Sequence, residues 1–139
     1  MLADTSGLVA LLDRSERHHR RCLAASERYR EQFITTWPAF TESMLILQDR
    51  AGWSGARSLW TLWFRGHVRL TKQSAALARM QELMSKYADV PMAFADASLV
   101  ALAEERRETR ILSVDSDFHT YVATWGGSLH GFELIPGAG

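Results

Sequence analysis

Short apolar runs alternate along this chain with longer stretches whose apolar residues recur at helical spacing. Met1–Asp4 reads as a first strand and Gly7–Asp13 as a helix. His18–Arg30 predicts a second helix with a polar face, and the β-rich Gln32–Thr36 a second strand. Pro38 suits the first turn of a helix that carries Phe40, Met44, Leu45 and Leu47 towards a core. Gly52, Gly55 and Gly66 bracket another helical stretch, Ala56–Phe64. Val68–Leu70 predicts a short strand, Ser74–Tyr87 a helix, and Pro91 a break. Ala95–Arg106 is amphipathic, with Leu99, Val100, Leu102 and Ala103 inward. Ile111–Ser113 is a strand, Asp115–Asp117 a turn, and Phe132–Ile135 the last strand. Trp53, Trp60, Trp63 and Phe64 recur at roughly helical spacing. That pattern assigns at least two of them to core packing and leaves the rest for an interface, with base stacking ranked behind.

Strands alternating with helices predict an α/β domain around a mostly parallel sheet. The 139 residues suffice for one domain, 1–139, with one sizeable core. Ligands of such sheets bind outside the carboxyl ends of the strands, and that rule selects among the acids. Asp4 ends the first strand, and Glu42 lies in the first turns of the helix after the second. Asp96 begins the amphipathic helix, Asp115 follows the strand Ile111–Ser113, and Asp117 comes two residues later. All five belong to one sheet edge. Converging carboxylates resist ionisation unless a cation sits between them, and hard oxygen donors suit Mg²⁺ or Mn²⁺. No His or Cys occupies a comparable place, which disfavours zinc. Singly, each acid has a plainer reading. Asp4 or Asp96 would serve as a helix N-cap, Glu42 would favour the positive end of its helix, and Asp115 and Asp117 would build a turn. The joint placement favours a metal site.

Composition narrows this further. The formal net charge is zero, which argues against indiscriminate nucleic-acid binding driven by surplus cations. Fourteen of the sixteen basic residues are Arg, and Arg14, Arg17, Arg20, Arg21, Arg28 and Arg30 cluster early. They read either as a solvated helix face paired with Glu16, Glu27 and Glu31 or as forks for phosphate. His18 and His19 are adjacent and cannot face one ligand together, while His67, His119 and His130 read as surface or loop residues. Cys22 is the single cysteine, so no intrachain disulfide forms and a reducing compartment is expected. The amino terminus shows no signal-peptide pattern, and no apolar run is long enough for a membrane span. The expected location is cytoplasmic.

Four stretches carry a family resemblance: LADTSGLVALLDRSERHH at 2–19, TTWPAFTESMLIL at 35–47, PMAFADASLVALAEE at 91–105 and ILSVDSDF at 111–118, with a closing FELIP at 132–136. In this order they resemble the PIN-domain family, specifically its VapC-like branch. The resemblance implies a three-layer sandwich, a five-stranded parallel sheet with helices on both faces. It also implies an acidic quartet at Asp4, Glu42, Asp96 and Asp115, with Asp117 as a frequent extra acid. Thr5, Ser6 and Ser113 match hydroxyl positions that support the site or bond substrate phosphate. The implied activity is Mg²⁺- or Mn²⁺-dependent hydrolysis of RNA phosphodiesters, leaving a 5′-phosphate and a 3′-hydroxyl, by the toxin of a toxin–antitoxin pair. Asp4, Asp96 and Asp115 would hold metal directly or through water, Glu42 would orient water, and Arg14, Arg17, Arg20 and Arg21 would meet the substrate. A homodimer and an antitoxin covering the site are implied as well.

One departure supports a second reading. Relatives often carry Asp where this chain has Ala93, which fits a catalytically weak PIN domain acting as a protein- or RNA-binding module. Two other acid-gathering folds fit less well. A phosphoacceptor receiver domain needs a lysine at its site, and Lys72 and Lys86 lie in or beside one helix, away from the last strands. An aspartyl phosphatase wants a second Asp two residues after the first, and position 6 is Ser.

Overall fold

The computed structural model describes residues 1–72 and 76–137. The strands are β1 (Leu2–Ala3), β2 (Phe33–Thr36), β3 (Val68–Thr71), β4 (Arg110–Leu112), β5 (Val122–Trp125), β6 (Ser128–Gly131) and β7 (Glu133–Ile135). The helices are α1 (Thr5–Leu12), α2 (His19–Tyr29), α3 (Trp37–Phe64), α4 (Leu77–Lys86) and α5 (Phe94–Arg106), with a 3₁₀ turn at Ser116–His119. Five strands form one parallel sheet of order β3-β2-β1-β4-β7. Successive side chains of a strand face opposite ways, and here they divide the core in two. Leu2 and Ile111 pack with α4 and α5 on one face, and Ala3 and Leu112 with α1, α2 and α3 on the other. The three-layer arrangement implied by the resemblance is present.

Several elements differ from the expectation. The two helical stretches after Pro38 form one element, α3, which kinks at Ala51 and at Gly52 (φ +60°). Leu45 is 61% exposed rather than part of the core, whereas Phe40 and Leu47 are buried as expected. Trp53, Trp60, Trp63 and Phe64 are 65%, 39%, 40% and 76% exposed, so none of the four is a core residue. The second half of α3 packs inward through Gly55, Ala56 and Leu59 and leaves its aromatic face outside. Residues 122–131, read as no element, form the antiparallel hairpin β5–β6. Its turn is Gly126-Gly127, both at positive φ, the pairing a two-residue hairpin requires. The expected start of the fourth helix at Ser74 lies outside the described residues.

The first helix approaches the sheet closely. A Cβ placed on Gly7 would lie 2.0 Å from the Leu112 carbonyl oxygen, which is backbone and cannot yield. Gly7→Ala is therefore expected to cost about 3 kcal/mol, the upper end of overpacking penalties, read as a lowered urea midpoint with unchanged slope.

Candidate active site

Asp4 leaves β1 in extended conformation and is the N-cap of α1, accepting the Gly7 N–H at 2.7 Å. Its plainer reading therefore holds alongside the functional one. The carboxylate is 2% exposed. One oxygen also accepts the Ser6 hydroxyl at 2.8 Å, and the other accepts Ser113 Oγ at 2.6 Å. Those hydroxyls bond onward: Ser6 Oγ accepts the Val114 N–H at 3.0 Å, and Ser113 Oγ accepts that of Asp115 at 3.1 Å. Asp4 thus anchors the loop after β4. Burial pushes its pKa up to about 7 against the opposing hydrogen bonds, and the charge of Asp96 adds to the rise. Thr5 is buried and donates to the Ala39 carbonyl at 3.4 Å, so it bridges α1 and α3.

Asp96 lies in the first turn of α5. The N-cap there is Ala93, which offers no side-chain cap, so the N-cap reading of Asp96 is corrected. The Tyr121 hydroxyl donates to Asp96 Oδ2 at 2.9 Å. Burial raises the Asp96 pKa to about 6; the Tyr121 bond opposes this, and Asp115, Glu42 and Asp117 add repulsion. Asp115 caps the 3₁₀ turn, accepting the Asp117 N–H at 2.9 Å. Asp96, Asp115 and Asp117 each present an oxygen, and the three lie within 4.8 Å of one another. Opposite ligands of an octahedral ion with bonds near ~2.1 Å stand about 4.2 Å apart, so one hard divalent cation fits this donor set with little movement. Asp4 and Glu42 are not among the clustered oxygens: Asp4 is held beside the cluster by its hydroxyls, and Glu42 is exposed on α3. The buried Thr36 and Ser98 hydroxyls, 2.7 Å apart, join the start of α3 to α5.

Tyr121 was missed by sequence reasoning. Nothing local marks it, since its partner lies 25 residues away. It is buried among Tyr87 and Phe118 in edge-to-face contacts, which fix the ring. The arginine cluster divides. Arg21 donates to the Gly137 carbonyl and, with His18, Ser113, Ser116 and His119, lines a cavity of about 110 Å³ beside the acidic cluster. Arg14, Arg17 and Arg20 make no ion pair among the described residues and lie at the surface. Two of the three acids expected to pair with the cluster bond elsewhere, Glu16 to Arg50 at 2.9 Å and Glu31 to Arg110 at 2.7 Å.

The arrangement defines an α/β domain that gathers carboxylates for a hard cation at the carboxyl edge of a parallel sheet. The chain belongs to the PIN-domain family, whose model matches residues 1–123. No curated protein matches the chain. Among solved structures it is similar to VapC20 of Mycobacterium tuberculosis, described as a sarcin–ricin-loop-cleaving toxin. That match has a TM-score of 0.79 at 17% identity and covers 92% of this chain and 98% of the other. It is also similar to PAE2754 of Pyrobaculum aerophilum, with a TM-score of 0.63 at 16% identity over 97% of this chain and 88% of that one. At these identities the likeness is one of fold. Among the described residues, no helix is long and apolar enough to cross a membrane.

Two outcomes follow from this geometry. Groups that orient a metal ligand typically tune affinity by 10–100-fold, so Tyr121→Phe is expected to weaken Mn²⁺ binding by about 10-fold in calorimetry. The second concerns pH. Asp4 and Asp96 have folded pKa values above their unfolded ones, so the folded state binds more protons between about pH 4 and 7. The stability that these two groups contribute in EDTA is therefore full near pH 4 and falls as pH rises through 7. Urea midpoints should trace that fall, and Asp4→Asn should flatten it; a midpoint independent of pH from 5 to 8 would contradict the assignment.

Proposed function

We propose that this PIN domain is a metal-dependent endoribonuclease acting as the toxin of a toxin–antitoxin pair. The observation that carries this reading is the convergence of Asp96, Asp115 and Asp117 beside buried Asp4. It gains support from the fold shared with a toxin described as cleaving the sarcin–ricin loop. Asp96, Asp115 and Asp117, with Asp4 beside them, would hold Mg²⁺ or Mn²⁺. A bound cation supplies Lewis acidity towards phosphate oxygens and water. Glu42, exposed on α3, would orient the attacking water and take up its proton as the P–O3′ bond breaks; the leaving 3′ oxygen would take a proton from solvent, so that the products carry a 5′-phosphate and a 3′-hydroxyl. Ser6 and Ser113 hold Asp4, and Thr5 holds the start of α1 against α3. Arg21, beside His18 and His119, is the arginine best placed to meet a substrate phosphate, with Arg14, Arg17 and Arg20 as outlying contacts.

An active ribonuclease in its own cytoplasm calls for restraint by a partner. The exposed Trp53, Trp60 and Phe64 line a surface hollow of about 440 Å³ on α3, and aromatic residues are enriched in protein interfaces. That face is the candidate seam for a second copy or for the antitoxin. A second reading, a binding module with little catalysis, draws on Ala93. An Asp there would cap α5, worth about 1 kcal/mol, and add a carboxylate three residues before Asp96.

The test is cleavage of a panel of tRNA and single-stranded RNA with Mg²⁺ or Mn²⁺. EDTA should abolish cleavage, and Asp96→Asn or Asp115→Asn should reduce it at least ~100-fold. Cutting by Ala93→Asp but not by wild type would assign the weak-catalysis reading to this chain. RNA binding without cutting by either would favour the binding module.

A further inference from the structure

A cleft of about 370 Å³ is lined by Trp37, Pro38, Thr71, Lys72, Leu77, Met80 and Phe94. Its place in the fold is specific. Trp37 is the first residue of α3, directly after β2; Phe94 is the first residue of α5, two residues before Asp96; Lys72 directly follows β3. The cleft therefore opens on the same carboxyl edge of the sheet as the carboxylates, on the β2–β3 side. Both aromatic walls are half in solvent, Trp37 at 56% and Phe94 at 50% exposure, while Met80 beneath them is buried. Trp37 is steadied by an edge-to-face contact with Phe40 at 6.5 Å, which leaves much of its surface free.

We infer that this cleft is a stacking site for one nucleobase of the RNA strand whose phosphate lies at the Asp96–Asp115–Asp117 cluster, an inference that rests on the ribonuclease reading above. The charge balance is the physical argument. In a chain of zero net charge whose site is built of carboxylates, surplus cations supply little of the hold on a polyanion. Aromatic stacking supplies affinity without charge and tolerates any base, because every base has a π-face; it is worth roughly 5- to 150-fold per base. A nucleobase has apolar faces and polar edges. The cleft offers ring and aliphatic walls from Trp37, Pro38, Leu77, Met80 and Phe94, with Lys72 as the charged residue of its lining. The exposed aromatic face of Trp53, Trp60 and Phe64 lies on the other half of α3 and is not part of this site.

The experiment measures affinity of Asp96→Asn protein for fluorescein-labelled single-stranded RNA by anisotropy. Trp37→Leu and Phe94→Leu are crossed with oligomers carrying one abasic position, walked along the strand. Each ring removal is expected to weaken binding about 10-fold. One abasic position should produce the same loss, and combining the two should cost no more than either. Phe94→Tyr, which keeps a ring, should bind as its parent. Unchanged affinity in both Leu variants would overturn the proposal, as would losses that add at every abasic position. Release of a protein partner by the Leu variants with RNA affinity intact would overturn it too, and would make the cleft a peptide site. Cleavage assayed in the Asp96 background of the natural chain separates the two readings. Metal-dependent cutting with unchanged affinity in the Leu variants sinks the base site alone, whereas neither cutting nor RNA binding sinks both.

Discussion

Burial of the Asp4 carboxylate is the constraint on which the rest of the site depends. A carboxylate removed from water must be paired, hydrogen-bonded or neutralised. Here the Gly7 N–H and the Ser6 and Ser113 hydroxyls are spent on it, and its pKa still rises to about 7. Those bonds require α1 to lie close on β4, which the missing side chain of Gly7 permits. The same hydroxyls hold Val114 and Asp115, so the position of the Asp115–Asp117 loop is a consequence of how Asp4 is satisfied. Burial costs stability, and the return is a site whose negative charge invites a cation.

The second half of the site comes from the other face of the sheet. α5 brings Asp96 in its first turn, Tyr121 fixes that carboxylate, and aromatic packing fixes Tyr121. Helices from both layers therefore meet at the carboxyl edge where β1 and β4 lie side by side, the place at which open parallel sheets expose ligand sites. Helix starts also set the aromatic wall beside the acids: a residue in the first turn of α3 or α5 points past the end of the core, so Trp37 and Phe94 remain half in solvent.

Family membership and fold agree with the chemistry of the donor set. All three clustered side chains are carboxylates, the donors a hard divalent ion prefers. The two histidines near the site, His18 and His119, line the neighbouring cavity with Arg21 instead.

The acids were legible in the chain because strand ends and helix starts are local features, and parallel strands bring them to one edge wherever the helices pack. Asp4, Asp96 and Asp115 could be picked out before any coordinates as residues at strand ends and helix starts. Contacts across the sequence were not legible. Tyr121 reaches Asp96 over 25 positions, and Glu31 pairs with Arg110 over 79. The tryptophans of α3 were misread because helical spacing identifies a face without saying whether another layer covers it; none does among the described residues. Local pattern thus settled which residues stand at the sheet's edge, since each depends only on its neighbours in the chain. Which of them bring their oxygens together, which face stays bare and which partners each charge finds depended on packing, because those contacts exist only when distant segments meet.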